Sequence, residues 1–146
     1  MQAYGDAKEL GVYDAWQLQR QRTALCKKYL DRWAACEGLD AIFSPTTPYA
    51  APQSGDFKTV TYTGVYNVLD SSATSFPVPG LFADKEKDAS YAGDFKSYGD
   101  VDDTTKKDYD ASAVHGVPVS LQLVGRRLEE EKILAITERV VAELAS

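Results

Sequence analysis

Histidine, methionine and cysteine are scarce in this 146-residue sequence, which has one, one and two of them. Structural metal sites draw on several imidazole or thiolate ligands at set spacings, so a single histidine and the absence of any Cys-x-x-Cys exclude the common kinds. Cys26 and Cys36 fall on one expected helix, where ten residues set them about 15 Å apart, too far for a disulfide. They read as reduced, partly buried small hydrophobes. No apolar run reaches about 18 residues, so no segment reads as a membrane-spanning helix. The N-terminal Met1-Gln-Ala-Tyr-Gly-Asp-Ala-Lys8 has no apolar stretch of the kind a secretory leader needs, and the expectation is a cytoplasmic protein. Basic clusters are missing too. The formal net charge is −6, and the lysines and arginines are interleaved with acids, which argues against nucleic acid or an anionic membrane as partner.

What is present fits a soluble globular chain, with 44% hydrophobic and 26% charged residues. Leu18, Leu25, Tyr29, Trp33 and Cys36 repeat at helical spacing and predict a helix from about Val12 to Cys36, stopped at Gly38. Asp40 to Ser44 is a short apolar strand ended by Pro45 and Pro48. Tyr49 to Thr59 is loop. Tyr62, Val65, Tyr66 and Leu69 predict a short helix over Thr61 to Asp70. Thr74 to Val78 reads as a strand closed by Pro79-Gly80, lying where Pro77 has no ladder hydrogen bond to donate.

The stretch from Asp84 to Asp110 holds nine carboxylates against five lysines and has no Leu, Ile or Met. It cannot offset its own ordering entropy and is expected to be a surface loop. Val117, Val119, Leu121 and Leu123 then alternate with Pro118, Ser120 and Gln122, the pattern of a half-buried strand that Gly125 ends. Glu129 to Glu131 open a last helix with Ile133, Ile136, Val140 and Leu144 along one face. The expectation is an α/β fold with a partial mixed sheet and flanking helices, one segment spanning residues 1–146 with a surface loop at about 84–110. Three strands are fewer than the usual five or six, so the sheet looks incomplete.

Residues able to carry chemistry are few. His115 is the one base that titrates near neutral pH, and it sits in a loop before a strand, where local hydrogen bonding is its ordinary use. Ser71, Ser72 and Ser75 lack a GxSxG elbow or a Ser-x-x-Lys and read as turn and helix-end residues. Asp100, Asp102 and Asp103 lack the glycine and terminal glutamate of a calcium loop. Tyr62, Tyr66 and Asn67 form an amphipathic patch suited either to lining a ligand pocket or to helix packing.

Three stretches in order resemble the amidase-signature family, and its fungal acetamidase or general-amidase branch in particular. They are Leu39-Asp-Ala-Ile-Phe-Ser-Pro-Thr-Thr-Pro48, Tyr62-Thr-Gly-Val-Tyr-Asn-Val-Leu-Asp70 leading to Phe76-Pro-Val78, and His115-Gly-Val-Pro-Val-Ser-Leu-Gln-Leu-Val-Gly-Arg-Arg-Leu-Glu-Glu-Glu-Lys132. The sequence departs from the pattern at Ser71-Ser72, where relatives usually place an aromatic residue or glycine with a proline, and at Ser120, where many have glycine. The resemblance implies hydrolysis of carboxylic amides by a Ser, cis-Ser, Lys triad, with no metal or organic cofactor. That triad belongs to the family's N-terminal and central region and has no counterpart here. The chain is therefore expected to be a C-terminal amidase portion, catalytically silent alone, with Tyr62, Tyr66 and Asn67 as candidate substrate-binding residues and no catalytic ones. Its expected partner is the remainder of an amidase chain or a second copy of itself, and a small amide is substrate only in the intact enzyme. Two alternatives stand beside this reading: an amidase active when complemented by an N-terminal chain, and a stand-alone protein-interaction module.

Overall fold

The computed structural model describes residues 8–53, 55, 57, 59–89 and 96–146. The N-terminal seven residues and the middle of the acidic stretch, both read above, lie outside the described residues. The elements run α1 (Val12–Ala34), β1 (Ile42–Pro45), α2 (Thr61–Leu69), β2 (Ala73–Phe82), α3 (Lys85–Ala89), α4 (Asp100–Asp108), β3 (Pro118–Val124) and α5 (Glu130–Leu144). The long helices and all three strands fall where the apolar periodicity puts them.

The sheet has the order β1-β3-β2, and both pairings are antiparallel. Leu123 sits between Phe43 and Thr74, and Leu121 between Pro45 and Phe76. Alternation along a strand puts these six on one face. Helix α5 covers that face: Phe76, Leu123 and Ile133 form the buried centre, ringed by Leu121, Ile136, Val140 and Val141. Burying Leu123 and Ile133, 1% and 0% exposed, contributes roughly 2–3 kcal/mol each. Pro77 lies on β2, an edge of this sheet, where its missing N–H costs least. The strand does not stop at Pro79-Gly80 as expected. It resumes after an irregularity between Pro77 and Phe82, with Gly80 at φ +70°, and Phe82 pairs with Pro118.

The polar side of β3 is not solvated, as its alternation suggests it should be. Gln122 and Val124 are 4% and 0% exposed, so the central strand is covered on both faces. Gln122 meets the cost of burial by hydrogen bonding: Nε2 donates to the carbonyls of Pro45 and Tyr62, each at 2.8 Å, with Ser44 Oγ at 3.4 Å. Helix α2 is thus tied to the sheet. Its other end is held from α1, where Arg22 Nε donates to the Val68 carbonyl at 2.8 Å.

Only the far end of the α1 stripe is covered. Trp33 is buried and its Nε1 donates to the Leu39 carbonyl at 2.9 Å, whereas Leu18 and Leu25 are half exposed. The expectation for the cysteines holds for Cys26, which is half-buried, but not for Cys36. Cys36 lies beyond the end of α1 and is exposed.

Strand β3 and helix α5 meet in a turn that allows no side chain at Gly125. A Cβ there would come 2.4 Å from Cγ1 of the buried Ile133. The Gly125 amide donates to the Ser72 carbonyl at 2.8 Å. Ser72 Oγ accepts from the Glu129 amide at 3.2 Å and donates to the Glu130 carboxylate at 3.0 Å, closing the start of α5 from the neighbouring strand. Arg126 pairs with Glu129 at 2.6 Å and holds its carboxyl below the usual carboxylate range.

The acidic stretch is more ordered than its composition predicts, because it holds α3 and α4. No residue of α4 is buried. What favours that helix is charge order: Asp100, Asp102 and Asp103 occupy its first turn and Lys106 and Lys107 its last, each complementing the helix dipole. The base of the excursion is pinned where the Ala83 amide donates to the Val117 carbonyl and the Gly116 amide to the Ala83 carbonyl, both at 2.9 Å.

Two substitutions check this packing by urea denaturation. Leu123→Ala removes the central side chain and is expected to cost about 2–5 kcal/mol. Gly125→Ala, with no room beside Ile133, is expected to cost about 1–3 kcal/mol by overpacking. A Gly125→Ala midpoint equal to wild type would contradict the close approach.

Candidate functional site

The candidate substrate-binding residues share one short helix. Tyr62 and Tyr66, four residues apart, lie along one side of α2, and Asn67 falls on the next. Tyr62 and Asn67 are exposed and Tyr66 half-buried. Their main chain is well tied: the Tyr62 carbonyl accepts from Gln122, the Tyr66 carbonyl from the Ser71 amide at 3.0 Å, and the Asn67 carbonyl from the Asp70 amide at 3.3 Å. Asp70 closes the helix in the left-handed conformation, φ 58°, and its carboxylate pairs with Arg127 at 2.9 Å. Tyr66 lies close enough to α1 that its hydroxyl, after burial, helps push the Tyr29 phenol up. The patch therefore packs through Tyr66 and presents Tyr62 and Asn67 to the surface.

The other residues with chemical potential go to structural use. His115 Nδ1 accepts from the Lys85 amide at 3.3 Å, a contact not with its own loop but with the start of α3, thirty residues away in sequence. Ser72 closes α5, and Ser75 Oγ meets Thr46 Oγ1 at 3.2 Å across the sheet. Asp110 accepts from the amides of Ser112 and Ala113, forming a turn. Asp102 accepts from the Tyr98 amide at 3.0 Å, just before α4. Among the described residues, no group of three or more His, Cys, Asp or Glu side chains is placed to hold a metal ion.

A cavity of about 730 Å³ lies between the end of β2, the start of β3 and the two excursion helices. Tyr49, Leu81, Phe82, Tyr109 and Val119 give it apolar walls, and Asp88 a carboxylate. Its size and lining suit a small organic molecule. Tyr62, Tyr66 and Asn67 are not part of its wall. The sequence reading missed this site because half of it comes from the stretch taken as loop. The usable signal was the order of charges in α4, which marks a helix, followed by the lone aromatic Tyr109.

Tyr109 organises the cavity. Its ring stacks on Tyr49, with centroids 6.2 Å apart and planes at 29°, and its hydroxyl donates to Asp88. Burial first, then the hydrogen bond to Asp88, push its phenol up to about 12. At neutral pH it is a hydrogen-bond donor and cannot serve as a base.

The shift has a measurable consequence. An unfolded tyrosine ionises near the ordinary value of 10.0, so between about 10 and 12 the unfolded state has released a proton that the folded state keeps, and stability falls as pH rises through that window. A spectrophotometric titration should show one tyrosine ionising near 12, with Tyr109→Phe removing that step and flattening the stability loss above pH 10. An unchanged titration curve would show that Tyr109 is not held this way.

Comparison with known proteins bears on the chain as a whole. The Amidase family profile matches residues 3–134. The chain is 38% identical to an acetamidase of Emericella nidulans over 138 residues, 91% of this chain and 25% of that protein. It is 39% identical to an acetamidase of Aspergillus oryzae, over 87% of this chain and 24% of that protein. Among solved structures, a fatty acid amide hydrolase superposes with a TM-score of 0.79 at 30% identity, covering 96% of this chain and 24% of that one. The chain thus spans about a quarter of the length of the relatives it matches. With the family profile extending over nearly the whole sequence and the fold shared with a solved amide hydrolase, the chain belongs to the amidase family.

Proposed function

We propose that this chain is the C-terminal quarter of an amidase-signature hydrolase of the fungal acetamidase type. It supplies scaffold and one wall of the substrate site, while the groups that attack the amide carbonyl belong to the remainder of the enzyme. The observation that carries the reading is the 38% identity to an acetamidase across 91% of this chain but only 25% of the relative. The reaction of the intact enzyme would be addition of water to a small carboxylic amide, breaking the C–N bond to release a carboxylate and an amine. In this chain Tyr62, Tyr66 and Asn67 would line the substrate, held in place by the ties at both ends of α2.

The partner this reading needs is the rest of an amidase. Val12, Trp16 and Leu18 on α1 and Val65 and Val68 on α2 are exposed to 45% or more, a spread of apolar surface that marks an interface rather than a solvated face. Where no such partner is present, self-association would take its place. Both cysteines are free thiols, which suits the cytoplasm. No helix among the described residues is long and apolar enough to cross a membrane.

The test has two arms. The purified chain alone should release no ammonia from acetamide and no amine from an arylamide, and should run on a sizing column as more than a monomer. Joined to the N-terminal three quarters of an acetamidase, it should restore hydrolysis. A well-folded joined protein without turnover would overturn the reading, as would amide cleavage by the lone chain that disappears on replacing Ser72, Ser75 or His115. A strict monomer would favour an interaction module instead.

A further inference from the structure

Gln122 belongs to the middle strand but commits its amide to two other elements. An amide –NH₂ carries two hydrogens, and two 2.8 Å bonds, to the Pro45 carbonyl at the end of β1 and to the Tyr62 carbonyl in the first turn of α2, use both. Ser44 Oγ at 3.4 Å is a weaker third contact. The side chain is 4% exposed, so these bonds are made away from water. A hydrophobe of the same length would fill the space equally well and leave both carbonyls without this donor.

Helix α2 has a particular need of such a tie. Nine residues are too few to be stable alone, and its N-terminal neighbour Val60 supplies no side-chain cap. Arg22 grips the C-terminal end at the Val68 carbonyl and Gln122 grips the first turn. With one end fixed from α1 and the other from the sheet, the height and rotation of α2 against β3 are set by these two donors. Tyr62, Tyr66 and Asn67 ride on the segment between them.

We infer that Gln122 is a positioning residue for amide substrate: through the Tyr62 carbonyl it sets where the Tyr62–Asn67 wall stands, and it acts on substrate binding without touching substrate. This rests on the substrate-lining role proposed above for that patch. Loss of the two bonds should let α2 shift relative to β3 and weaken binding in the ground and transition states alike, which raises KM and leaves kcat in place.

The experiment uses the joined enzyme with an arylamide as probe. Gln122→Met is expected to raise KM about tenfold, the equivalent of about 1.4 kcal/mol or one net hydrogen bond, with kcat within about threefold. Thr137→Val is the comparator: it removes the 2.6 Å contact of Thr137 Oγ1 with Thr74 Oγ1 between α5 and β2, on the opposite face of the sheet from α2, and should leave KM unchanged. Hydrogen exchange at the Thr63 and Gly64 amides, both bonded to the Val60 carbonyl, should quicken in Gln122→Met and not in Thr137→Val. Should Gln122→Met fail to fold, Gln122→Asn keeps a buried amide but draws it back from both carbonyls and should give the same split. A wild-type KM in a folded Gln122→Met enzyme, or equal KM rises in both variants, would overturn the inference. If the wild-type joined protein shows no turnover, the functional reading fails, and the exchange comparison alone decides whether Gln122 holds α2.

Discussion

Everything in this chain is arranged around the burial of β3 on both faces. On the side toward α5 the requirement is met by fit: Leu123 and Ile133 are closed from solvent, and Gly125 is without a side chain because Ile133 already occupies the space beside it. On the opposite side it is met by hydrogen bonding, through the amide of Gln122. The two solutions differ in kind. Apolar packing tolerates small shifts among its members, whereas an amide shared between two carbonyls fixes both positions at once. The side that carries α2 is therefore the more exactly specified of the two, and it is the side that presents Tyr62 and Asn67.

The elements whose burial follows a simple period were legible in the sequence. The alternation of Val117 to Leu123 gave β3, and Ile133, Ile136 and Val140 gave the packed face of α5, because the apolar side of each meets the other in one core. Reading failed where a residue's environment comes from elsewhere. Gln122 looked solvated because the alternation says nothing about a helix arriving on the polar side. The stretch after Asp84 read as a surface loop because hydrophobic content was the measure applied, and α4 is favoured by the placement of its charges instead. The cavity beside Tyr109 followed that error, since a wall built from unread helices cannot be foreseen. For Ser72 the expectation of a helix-end role was sound, since its hydroxyl closes α5, whereas Ser75 lies within β2 and meets Thr46, and His115 accepts from the amide that starts α3.

The exposed apolar residues of α1 follow from the same economy. A helix of 23 residues is about 35 Å long, and α2, at nine residues, covers little more than a third of it. Trp33 is buried and Leu18, fifteen positions earlier on the same stripe, is 51% exposed. A stripe covered at one end and bare at the other is the geometry of a helix that reaches past its own core. Membership of a family whose relatives here are about four times longer gives that reach a physical setting.

The two hydrogen bonds that join Ala83 to Gly116 and Val117 have a consequence for how this scaffold can change over time. They close the excursion at its neck, so whatever lies between is spliced into the sheet through one fixed pair of points. Loop-closure entropy grows only by about 0.6 kcal/mol for each doubling of length, and the strands on either side do not register what is inserted. The neck is a natural grafting point, where the segment can be lengthened, shortened or recharged, and with it the cavity wall, while the sheet and α2 stay as they were.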